Sequence, residues 1–195
     1  VIKFAASKIV NWLLNAGAIS QKDKDLYEYA AYSLLFNLLP FCIVTVLGCI
    51  IGIPSEGILM ILPFVLIRNF SGGFHLKSPA LCLVFSTTLL FTSLISIKTL
   101  VAERHVFSFT VLVASAAVQI FLCSPIESES RKLSKKEFII FKKAAKTMSI
   151  LFLMSYIILS VLGLIHFSVP IGYGIILTAM LQIPCFFSKK KDIAN

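Results

Sequence analysis

Charge is what this sequence is short of. Only 14% of its 195 residues are Asp, Glu, Lys or Arg, where soluble chains carry about 25%. With 58% hydrophobic residues, 17 of them Phe, too little polar surface is left to cover a water-soluble ball of this size, so soluble enzyme folds are excluded. Acids are scarcer than bases, 9 against 18, for a formal net charge of +9. None of those carboxylates falls inside an apolar run, which argues against an intramembrane aspartyl protease or a proton-relay transporter. In a chain this apolar the basic excess marks loops facing the cytoplasm and anionic lipid, and nucleic acid is not an expected partner. Cysteine is present at 42, 49, 82, 123 and 185, an odd count without a Cys-x-x-Cys pair, and His75, His105 and His166 lie far apart. Neither a disulfide framework nor a metal site is signalled, and no cofactor is expected.

What is there is hydrophobic pattern. Between Ile2 and Ala18, Lys3, Ser7, Asn11 and Asn15 recur every four positions while Ile2, Ala5, Ala6, Ile9, Leu13 and Ala16 lie largely opposite, which predicts an amphipathic helix in the interface. Residues 9–14 are too short, and broken by Asn11, to be the core of a cleaved signal peptide. After a polar segment, apolar runs at about 29–53, 57–70, 79–97, 106–123, 147–165 and 168–187 approach or exceed the roughly 20 residues that cross a bilayer core. A basic loop at 126–146 and a tight corner at His166-Phe167 separate the last three. The expected fold is all-α, one polytopic membrane domain of about six transmembrane helices behind the N-terminal segment 1–28, without internal repeats.

The run 57–70 is short enough to be re-entrant, and basic residues decide the expectation. If it crosses, with the N-terminus inside, every Lys and Arg except Lys98 and Arg104 faces the cytoplasm. If it turns back, the bases divide less cleanly between the two sides, so six crossings fit the positive-inside bias better. Both termini, Arg68, His75, Lys77 and the start of the third span then face the cytoplasm.

Chemistry is concentrated in the stretch Arg68-Asn-Phe-Ser-Gly72-Gly73-Phe-His75-Leu-Lys-Ser78-Pro79-Ala-Leu-Cys82. A cysteine nucleophile needs a partner that takes its proton and returns one to the leaving group, and imidazole does both near neutral pH. Ser78 as N-cap and Pro79 as first helical residue would start a helix whose first turn ends at Cys82. Unpaired NH groups and the positive helix end there favour a thiolate and could receive an oxyanion. Gly72 and Gly73 would let the preceding chain fold back so that His75 approaches Cys82. Spacing alone does not choose between this and a structural reading, because a small buried cysteine and a solvated loop histidine are the commoner uses of both residues. Ser71 lacks the Gly-x-Ser-Gly context of an intramembrane serine protease. Arg68 is readable as a snorkelling anchor or as a holder of a substrate carboxylate or oxyanion.

The residues Arg68 through Gly73, His75 and Cys82 resemble the signature of the accessory gene regulator B (AgrB) family: an Arg, a Gly-Gly-aromatic-His, and a Cys seven residues after the His. The similarity extends over nearly the whole chain, including Cys123-Ser124-Pro125-Ile126-Glu127, which is similar to that family's Pro-containing end of span four. The resemblance implies a membrane cysteine endopeptidase with Cys82 as nucleophile, His75 as acid/base partner, and Arg68 and Gly73 needed for activity. It would remove the C-terminal tail of an AgrD-like quorum-sensing precursor through a thioester and promote thiolactone or lactone closure. Implied partners are that peptide and the lipid bilayer, with a homodimer left open. The alternative is a non-enzymatic exporter or scaffold in which the same residues only shape a helix break.

Overall fold

The computed structural model describes residues 2–73, 79–103, 106–126 and 134–193. All regular structure among them is helical: α1 Ile2–Asn15, α2 Lys24–Ile51 after a 3₁₀ turn, α3 Pro54–Ser71, α4 Pro79–Glu103, α5 Val106–Cys123, α6 Lys135–Val161 and α7 Ile165–Ile193. They form two compact units, residues 1–43 and 44–195. In the first, α1 buries Ala6 and Val10 while Phe4 and Trp12 stand exposed, and Lys8 Nζ lies 5.1 Å from the centroid of the Phe4 ring. The helix predicted at the N-terminus is present, ending at Asn15.

Among the described residues four helices, α2, α4, α6 and α7, are long and apolar enough to cross a bilayer. The remaining two of the six expected spans, α3 and α5, are helices of 18 residues each. α3 does not turn back. Its Glu56 carboxylate meets His166 Nδ1 of α7 at 3.1 Å, Gly174 of α7 lies on the backbone of Met60 and Phe64, and the chain leaving α3 at Gly73 lies beside Leu181. α3 and α7 therefore run side by side in the same direction. At the end marked by Glu56 and His166, Lys98 Nζ of α4 donates to the Ile51 carbonyl at 2.8 Å, giving the exposed last carbonyls of α2 a cationic partner.

Three boundaries differ from the sequence expectation. The basic loop expected at 126–146 is helical from Lys135 onward. Ser134 Oγ accepts from the Glu137 backbone N–H, and the Ser134 N–H donates to Glu137 Oε2 at 2.9 Å, a capping box that starts α6 well before its apolar part. The corner expected at His166-Phe167 falls earlier, at Leu162–Leu164, because Gly163 takes φ +74° and the Leu164 N–H bonds back to the Leu159 carbonyl, the left-handed stop that glycine permits. His166 is thereby placed in the first turn of α7. The third expected span, ending near 97, continues as helix to Glu103.

The core of the second unit is close-packed helix on helix. Phe109 meets Tyr173 at 5.0 Å between centroids and Tyr156 at 6.1 Å, and Tyr156 Oη shares a hydrogen bond with Thr110 Oγ1 at 2.8 Å, so the one polar atom of this buried ring is satisfied. Where α7 crosses α3, a Cβ on Gly174 would lie 2.5 Å from both the Met60 carbonyl and Pro63 Cγ. Small residues allow such approach where lipid supplies no hydrophobic drive between helices.

Gly174→Val is expected to destabilise the protein by about 1–3 kcal/mol, since the backbone of α3 has to move, and thermal unfolding in detergent micelles will show it. Burial would raise the Glu56 carboxyl, but hydrogen bonds from Ser55 and His166 and the charge of His166 outweigh it, so the group titrates below the ordinary glutamate value. A carboxyl depressed in the folded state stabilises above its unfolded pKa, about 4.3, and loses that contribution as pH falls through its folded value. Wild type is expected to lose thermal stability between about pH 5 and pH 3 relative to Glu56→Gln, and parallel melting curves for the two proteins across that window would contradict this.

Candidate active site at the ends of α3, α5 and α7

The end of the second unit opposite the Glu56 pair collects most of the residues singled out by the sequence. Cys82 is the fourth residue of α4, which starts at Pro79 as predicted, and its side chain is half-buried. Arg68 sits in the last turn of α3 with its guanidinium 5.4 Å from the Phe64 ring centroid. It lies within electrostatic reach of two thiols, Cys82 and Cys185. His75 and Ser78 lie outside the described residues, as does the chain from Glu127 to Leu133.

The glycine pair is shaped by a close backbone approach. Gly72 caps α3 with φ +74°, its N–H donating to the Arg68 carbonyl at 3.1 Å. A Cβ there would collide with the carbonyl oxygen of Ile126, which follows α5, while the Ile126 N–H donates to the Ser71 carbonyl at 2.9 Å. The strand of chain leaving α5 is thus hydrogen-bonded directly onto the end of α3, and only glycine fits between them. Gly73, buried, has φ +154° and faces the Leu181 carbonyl. Phe70 adds an edge-to-face contact with Phe141 of α6 at 5.7 Å.

Two features of this end were not found by sequence reasoning. Cys185, which has no histidine near it in the sequence, lies like Cys82 within electrostatic reach of Arg68. Gln182 of α7 is fully buried, and its Nε2 donates to Ser124 Oγ at 2.9 Å, while its Oε1 has no hydrogen-bond partner among the described residues. An acceptor left in that state costs about 1–3 kcal/mol. The only sequence signal for Gln182 was a polar amide inside the last apolar run. No group of three or more Cys, His, Asp or Glu among the described residues is arranged to hold a metal ion.

A thiol in a helix's first turn and a half-buried cation within electrostatic reach of it can together hold a charged sulfur or an oxyanion at the edge of the bundle. No solved structure matches the chain. A protein of Clostridium perfringens strain 13 with the provisional name AgrB-like protein 1 is 28% identical over 173 residues, 87% of this chain and 88% of the relative. A second from strain SM101, provisionally named AgrB-like protein, is 23% identical over 165 residues, 82% of this chain and 75% of the relative. The accessory gene regulator B profile matches residues 6–186, nearly the full length of the sequence, and the chain belongs to the AgrB family.

Proposed function

We propose that this protein is a six-span cysteine endopeptidase of the cytoplasmic membrane that trims an AgrD-like signal-peptide precursor and promotes its cyclisation. Family membership supports a part in the processing of quorum-sensing peptides. The observation that carries the chemistry is the gathering of Arg68, the Gly72-Gly73 turn and Cys82, contributed by α3 and α4, at one end of the bundle.

In this mechanism Cys82 Sγ gives its proton to His75 and attacks the precursor carbonyl next to the tail. Arg68 and the unpaired N–H groups of the first turn of α4 face the charge that develops on the carbonyl oxygen. Collapse of the intermediate breaks the C–N bond, His75 protonates the departing amine, and the N-terminal part stays on Cys82 as a thioester. A thiol of the bound peptide then attacks that thioester, its proton passing to His75, and Cys82 is released as the thiolactone closes. An internal hydroxyl would give a lactone by the same path. The exchange of one thioester for another is near energetic balance, so ring closure prevails over hydrolysis when the peptide thiol is held against the carbonyl and water is kept out.

The two helices of 18 residues, α3 and α5, complete six crossings in this reading, with the catalytic end inside. The lysines of the first turns of α6 then meet the headgroups of the inner leaflet. Their positive charge also suits an acidic precursor tail. A second copy of the chain is a further candidate partner.

Cys82→Ala is expected to reduce tail removal from a co-expressed precursor by at least about a thousandfold, followed by the size of the peptide product. Undiminished cleavage would leave the exporter or scaffold reading in its place. A membrane-impermeant thiol reagent is expected to leave Cys82 unmodified in intact cells and to label it in inverted vesicles, and labelling from outside would reverse the assigned orientation.

A further inference from the structure

α5 and α6 run antiparallel and in contact. Lys146 Nζ of α6 lies 4.1 Å from the centroid of the Phe121 ring of α5, Ser149 Oγ donates to the Ala117 carbonyl at 3.4 Å, and deeper in the bundle Tyr156 meets Thr110. These contacts fix which side chains border the outer side of the seam. They are Val111 and Val118 on α5 and Ile150, Met154 and Ile157 on α6, all between 40% and 58% exposed. From the level of Phe121 to that of Val111 the apolar strip follows ten residues of α5, about 15 Å of helix. That is half of the roughly 30 Å hydrocarbon core, the depth of one leaflet. At its end towards the candidate active site the strip meets bases. Lys142 and Lys143 are exposed and Lys146 is half-buried, and none of the three has a carboxylate partner among the described residues. The Phe121 ring holds the Lys146 ammonium at the mouth of the seam.

We infer that this seam binds one anionic phospholipid of the inner leaflet, its phosphodiester among Lys142, Lys143 and Lys146 and an acyl chain along Val118, Ile150 and Met154. The inference rests on the inward placement of the catalytic end given above and is independent of the thiol chemistry. Three bases at the end of an apolar strip one leaflet deep match the two halves of such a lipid, charge to charge and chain to chain. The other occupants fit worse. An acidic peptide would answer the lysines but would carry its backbone N–H and C=O groups along apolar side chains, where they go unpaired. A second copy related by a two-fold axis along the bilayer normal would set the same lysines face to face. A bound phosphate relieves the repulsion among the bases of α6, whose Phe141 packs on Phe70, two residues beyond Arg68. The lipid thereby fastens the helix that borders the candidate site.

The test uses the full chain in phosphatidylcholine vesicles to which phosphatidylglycerol with the same acyl chains is added. Phosphatidylglycerol is expected to raise Tm by several degrees, and the combined change Lys142→Gln, Lys143→Gln and Lys146→Gln to weaken its binding at least about tenfold. Lys3→Gln, Lys8→Gln and Lys22→Gln together, which remove the same charge from the first unit, are expected to leave binding as in wild type. Equal losses in the two triple variants overturn the proposal, because net charge alone would then account for the attraction. Phosphatidylglycerol with a photoreactive diazirine on its acyl chain is expected to label residues 111–122 and 143–157 of the wild-type chain. Labelling confined to other segments overturns the site without any variant having to accumulate. Soluble glycerol 3-phosphate is expected to leave Tm unchanged. A shift as large as the lipid's would remove the acyl chain from the site, and displacement of the bound lipid by an acidic peptide would give the lysines to that partner, and either result overturns the assignment. No measurement here uses tail removal, so its failure leaves the reading of Cys82 standing, and persistent cleavage by Cys82→Ala leaves the lipid site standing.

Discussion

With no side chain at Gly174, the backbone of α7 lies directly on that of α3, and the arrangement of the second unit follows from that contact. Helices in lipid gain little from hiding apolar surface against one another, so close van der Waals approach has to provide the attraction. Because the two helices run in the same direction, one contact in the middle sets the register at both ends. At one end it seats Glu56 against His166. At the other it brings Gly73 to Leu181 and with it Arg68 within electrostatic reach of Cys185 on α7 itself and of Cys82 on α4.

The second constraint is the hydrogen bond between the Ile126 N–H and the Ser71 carbonyl. It ties the exit of α5 to the exit of α3 and turns the glycine at 72 from a flexible hinge into a spacer, pressed between two stretches of backbone. Polar groups are otherwise rare in this interior. Those present mostly answer one another, as Thr110 does Tyr156 and Gln119 the carbonyl of Ala179. Ser160 Oγ, Ser168 Oγ and Gln182 Oε1 are buried without a hydrogen-bond partner among the described residues, and of these only Gln182 has its other polar atom engaged, by Ser124 Oγ.

Much of the helix framework was legible in the residue order. Pro79 marked the start of α4 because its fixed φ suits a first helical position, and the alternation of polar and apolar residues over the first turns of the chain gave α1. The start of α6 was equally written there, as Ser134 followed three residues later by Glu137. A search for apolar length passes over it, because the helix begins in lysine-rich sequence and becomes apolar only later. The stop at Gly163 was hidden for the opposite reason, since the turn lies inside a continuous apolar stretch and depends on one residue's left-handed φ.

The sequence by itself determined the membrane character, the helical class and the Arg-Gly-Gly-His-Cys order that carries the resemblance to the family, because hydropathy, capping and φ preference act over a few neighbouring residues. Only the tertiary structure decided that α3 runs from one end of the bundle to the other, that Cys185 joins Cys82 at one guanidinium, and that Gln182 is buried with an open acceptor. Each of these depends on the register between segments distant in the sequence, 110 residues apart for Glu56 and His166, and that register is set by how closely two backbones can approach.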